Sequence, residues 1–96
     1  MTATHRRDAA SQPTLDDLRT GLSRTLGPDF VAAWADICRR ADISADVTTL
    51  DDRSFDRLLE AIAEQDRLCR VMAMSWRIRR TAAQKLAAIN RYEEIR

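Results

Sequence analysis

Neither glycine nor proline occurs anywhere in residues 29–96, and the whole chain holds only Gly21, Gly27, Pro13 and Pro28. A sheet protein of this size needs several tight turns, and glycine and proline are their usual chemistry. Long stretches of Ala, Leu, Arg, Glu and Gln favour helix instead. The expected fold class is therefore all-α: a small four-helix bundle with a long C-terminal helix and a disordered N-terminal tail. Ninety-six residues make one domain at most, with a modest core. At 45% apolar and 32% charged, the chain is too hydrophobic for disorder and too charged for a membrane protein.

Residues 1–13 are polar and aperiodic and read as the tail, leaving 14–96 as a single helical domain. Thr14 is the expected N-cap of a first helix, with Asp16 and Asp17 in its first turn and Leu15, Leu18, Leu22 and Leu26 as its apolar stripe. Gly27 closes that helix and Pro28 opens the next. The second helix, to Ala41, gathers Phe30, Val31, Trp34, Ile37, Cys38 and Ala41 on one face, with Trp34 as the anchor of the core. Asp42–Thr49 is a connecting loop from which Ile43, Val47 and Leu50 point inward. Thr49 or Asp51 caps a third helix carrying Phe55, Leu58, Leu59 and Ile62, which ends near Gln65–Asp66. The last helix, about Asp66–Glu93, lines up Val71, Met74, Ser75, Ile78, Ala82, Leu86 and Ile89 at three- and four-residue steps, and this stripe is its expected core face. Such a helix spans roughly 40 Å, longer than a body this small, so one end should overhang or pack on a second copy.

The net charge of +1 hides a polarity. Thr14–Cys69 carries 12 acidic and 7 basic residues, whereas Arg70–Arg96 carries 7 basic and 2 acidic. On the last helix Arg70, Arg77, Arg80 and Arg91 fall within an arc of about 80° opposite the expected core stripe. Such a row is a solvated outer face, a face tied by ion pairs to the acidic body, or an edge whose guanidiniums fork onto phosphate oxygens. Nucleic-acid binding is thus the alternative function, although no helix-turn-helix, zinc-finger or RNP pattern accompanies the row. Met72 and Trp76 lie one turn apart, beside the main stripe, with Arg80 four residues beyond the tryptophan. Aromatic, Met and Arg residues together are the composition enriched at interface centres; the other reading is a helix packed on two sides within its own bundle, which makes both residues core. The leading expectation is accordingly a protein–protein interaction module of adaptor or regulatory type, docking on a protein partner or, as a homodimer, on a second copy through its C-terminal helix with Met72, Trp76, Arg80, Arg70, Arg77 and Arg91.

Catalysis is not expected. The only histidine, His5, lies in the tail, Lys85 is the sole lysine and Tyr92 the sole tyrosine, and no positioned base accompanies a nucleophile. Cys38 and Cys69 form no CxxC pair and, with His5, fall short of the four ligands a zinc site needs. They read as small buried hydrophobes, with a disulfide open if their helices touch. No metal or cofactor is expected. Ser54 lacks the context of the modified serine in acyl carrier proteins, whose Asp-Ser-Leu motif usually follows a glycine. Arg53 precedes Ser54 here, and a helix-capping role is the plainer reading. With neither a secretory leader nor an apolar run of about 20 residues, the expected location is the cytoplasm, and the preference for Arg over Lys suggests a bacterial source.

Overall fold

The structure, a computed structural model, describes residues 12–95, with side chains through residue 90. Helix α1 (Leu15–Leu26) runs through a 3-10 turn (Gly27–Asp29) into α2 (Phe30–Ala41). Helices α3 (Asp52–Gln65) and α4 (Arg67–Ile95) complete the chain, and the described residues contain no strand. The all-helical expectation holds. A four-helix bundle is not what forms, because the extensive helix–helix contacts join α2 to α3 and α3 to α4, while much of α4 projects beyond the body. The principal extents are accordingly 49 × 30 × 24 Å. The expected tail falls, for residues 1–11, outside the described residues. Pro13, assigned to it, is buried, so the ordered body begins at least one residue sooner.

Each boundary has a local chemical cause. Thr14 opens α1 with a capping box: its hydroxyl accepts from the Asp17 N–H at 3.1 Å, and its own N–H donates to Asp17 Oδ2 at 2.8 Å. Gly27, at φ 58°, ends α1, and Pro28 takes the first turn of the next segment, where its missing N–H costs nothing. Helix α2 ends without glycine. Asp42 adopts the left-handed conformation (φ 60°), its N–H donates to the Arg39 carbonyl, and the Ile43 N–H donates to the Cys38 carbonyl, together a Schellman closure. Asp is among the few residues that tolerate this backbone. The cap of α3 is Asp51, which accepts from the Ser54 N–H at 2.8 Å. Ser54 thus sits inside the first turn rather than at the cap.

Between α2 and α3, the segment 42–51 is strapped down by side chains. Trp34 stacks on Phe30 at 5.8 Å between centroids, and its Nε1–H donates to the Ala45 carbonyl at 3.0 Å. The Arg19 guanidinium lies over the Trp34 ring at 5.4 Å and donates to the carbonyls of Ala45 and Val47. Ile43, Val47 and Leu50 then pack half-buried against the core, as their apolar character requires. That core includes Leu18, Leu22, Ile37, Cys38, Leu58, Leu59, Ile62 and Cys69, all almost wholly inaccessible, with Trp34 and Phe55 at its margin. Burying each large side chain contributes about 1.5–3 kcal/mol, most of it offset by chain entropy. Val31, assigned to the inner face of α2, is instead 76% exposed: the core cluster takes its α2 members from the Trp34–Ile37–Cys38–Ala41 side. Both cysteines are free thiols inside the core. Among the described residues no helix is long and apolar enough to cross a membrane.

Candidate partner-docking face on the last helix

Helix α4 follows α3 after one extended residue, Asp66, which caps the new helix by accepting the Cys69 N–H at 2.8 Å. From there α4 runs 29 residues, about 43 Å at roughly 1.5 Å per residue. Its side facing the body is formed by Cys69, Ala73, Trp76, Arg80 and Ala83, with Met72 partly buried beside them. Three of these are small, and small contact residues let helix axes approach closely. The large residues of α3, Phe55, Leu58, Leu59 and Ile62, share the same core.

Two larger members of this inner side have specific partners. Trp76 packs on α1 at Gly21, where a Cβ would sit 2.8 Å from Trp76 Cζ2 and 3.4 Å from Met72 Cε. Glycine at position 21 thus makes room for the indole. Arg80 is only 7% exposed and spans to the start of α3. It donates to the carboxylate of Asp56, to Asp52 Oδ1 at 2.9 Å and to the Asp52 carbonyl at 3.4 Å, and its guanidinium lies 4.9 Å from the Phe55 ring centroid. A buried charge needs such pairing, and here two carboxylates and an aromatic face supply it.

The aliphatic stripe expected to form the core of α4 points the other way. Val71 (59% exposed), Met74 (55%), Ile78 (66%), Leu86 (48%) and Ile89 (54%) all face solvent, as do Ser75 and Ala82. At 100° per residue, this stripe centres about 140° around the helix from Trp76. Helix α4 is therefore apolar on two opposed sides, and the body covers the side with fewer large aliphatics. The phase of each stripe was readable from spacing, but which one turns inward depends on Gly21, Asp52 and Asp56, which lie elsewhere in the chain. Of the seven large hydrophobics exposed among the described residues, six belong to α4: the five above and Leu68. Met74, Arg77, Ile78, Thr81, Ala82 and Lys85 line a shallow open groove along this face. Beyond Ala83, every residue through Asn90 is exposed.

No protein-family model, curated protein or solved structure matches the chain.

The residues singled out from sequence for partner contact divide accordingly. Met72, Trp76 and Arg80 face the body, where Gly21, Asp52 and Asp56 engage them. Arg70 and Arg77 are exposed, and the side chain of Arg91 lies outside the described residues. The expected row of four guanidiniums is thereby interrupted, since Arg80 is turned inward. Sequence spacing had marked Val71, Met74, Ile78, Leu86 and Ile89 as core, so the exposed face was visible as a stripe but assigned to the wrong side.

Proposed function

We propose that this chain is a protein–protein interaction module that docks through the outward face of α4. One observation carries the reading: nearly all of the large hydrophobic surface exposed among the described residues is collected on one face of one helix. Scattered apolar residues are ordinary on a protein surface, but a contiguous apolar patch marks a contact. The stripe recurs at three- and four-residue steps over Val71–Ile89, the spacing with which one helix meets another. It also continues past Ala83, where α4 has no neighbour among the described residues to justify a long apolar helix.

Nucleic-acid binding receives less support, because Arg80 is held by Asp52 and Asp56 and the remaining exposed cations flank an aliphatic strip. Photo-crosslinking in the producing cell tests the docking reading. A photoreactive residue at position 78 is expected to give discrete adducts, either with the chain itself or with another protein, and Leu86→Glu should remove them. The same probe at position 60, on the polar surface of α3, should give none. Equal labelling from both positions would count against a docking face.

A further inference from the structure

Resting on the docking reading, the geometry points to a partner of defined chemistry: an amphipathic helix of another protein, apolar on one side and acidic along both flanks of that side. Charge complementarity singles out this partner. No Asp or Glu occurs from Arg67 to Tyr92, whereas five cations of that stretch lie to the sides of the exposed stripe, Arg80 being turned to the body. Arg67 and Lys85 fall along one edge, with Arg70 and Arg77 further round on the same side, and Arg79 lies on the opposite side. All five are exposed. A helix seated on the stripe brings its flanking residues beside these cations, the positions that select partners in paired helices.

Other occupants meet specific objections. A second copy docking by the same face sets basic flanks against basic flanks, a repulsion that works against self-pairing. Docking by that face onto the rest of a second copy finds no apolar counterpart, since Val31 is the only large hydrophobic exposed among the described residues outside α4. The chain's own residues 1–11, MTATHRRDAAS, lack an aliphatic stripe and include two further arginines. A lipid surface would suit the charge, but interfacial helices commonly insert aromatic residues. Among the described side chains the exposed stripe has none, both tryptophans being buried in the body. Small residues along the stripe, Ser75 and Ala82, instead allow a close helix–helix approach.

The test titrates the full chain with two synthetic helical peptides of about 28 residues, identical at Leu and Ile core positions. One carries Glu at the flanking positions and the other Lys. Sedimentation of the chain alone and binding to phosphatidylglycerol/phosphatidylcholine vesicles run in parallel. The expected result is binding of the Glu peptide with a gain in helicity, weakening as salt rises, and at least about tenfold preference over the Lys peptide. Ile78→Asp should abolish it without lowering the melting temperature, because Ile78 is exposed. Equal binding of both peptides, vesicle binding in place of peptide binding, or self-association abolished by Ile78→Asp would overturn the acidic-helix assignment while leaving a docking face. Absence of all binding from a monomeric chain would overturn the docking reading as well.

Discussion

Trp76 and Gly21 meet so closely that no β-carbon fits between them: a methyl group on residue 21 would lie 2.8 Å from Cζ2 of the indole. This contact ties α4 to α1 and fixes which side of α4 faces the body. A glycine inside a helix costs about 1 kcal/mol relative to alanine, so its presence there is explained by what it admits.

Gly21→Ala should therefore destabilise the protein despite its better helix propensity, by about 1–3 kcal/mol as overpacking requires. For a domain of this size, each kcal/mol moves the melting temperature by roughly 4–8 °C. Trp76→Phe removes the ring atom that clashes, so the cost of Gly21→Ala should shrink in that background. A thermal-melt double-mutant cycle measures both terms, and strictly additive effects would refute the close contact.

The Arg80 pairing predicts non-additivity of a different kind. Asp52 and Asp56 are both well exposed, and either carboxylate alone can satisfy much of the buried guanidinium. Asp52→Asn and Asp56→Asn should each cost under about 1 kcal/mol, as for exposed partners. Together they strand the cation and should cost more than their sum. Urea denaturation of the three variants gives the comparison.

The buried thiols make stability sensitive to alkali. Burial pushes the Cys69 thiol up to about 11, with the Asp66 carboxylate adding to the effect. Burial also raises Cys38, partly opposed by Arg19. Unfolded thiols ionise near about 8.5. The folded state, holding its protons longer, keeps its full advantage below that pH and loses it as pH rises toward 11. Denaturation at stepped pH should show this decline, and Cys69→Ala should flatten it. Iodoacetamide should label neither thiol rapidly until the chain is unfolded.

A chain ending at Gln84 removes only exposed positions among the described residues. Its melting temperature should stay within the shift that about 0.5 kcal/mol produces, while helicity per chain falls. Binding through α4 should weaken sharply, because Leu86 and Ile89 go with the deleted segment. A large loss of stability would mean that the distal part of α4 supports the body.

Helix boundaries were the most legible feature of the sequence, because Thr14, Gly27 and Asp51 mark them through local hydrogen bonding or backbone freedom. The inward role of Trp34, Leu58 and Ile62 was legible too, since α2 and α3 each have a single dominant apolar face. Helix α4 defeats that reasoning by having two. Periodicity ranks its Val71–Ile89 stripe above one that contains an arginine, two alanines and a cysteine. Local pattern carries no information about Asp52 and Asp56 waiting for Arg80 across the fold. One signal was available: a mid-helix Gly21 calls for a large neighbour, and Trp76 is one of only two tryptophans in the chain.

Asp66 is the entire joint between α3 and α4. A joint of one residue leaves no slack, so the bearing of the projecting arm is inherited from α3 and not chosen by a loop. Inserting a single residue there would roll the arm by about 100° about its own axis, drawing Trp76 off its seat and swinging the aliphatic ribbon partway toward the body. Spacing at this elbow is as much a determinant of what the arm can greet as the side chains it displays.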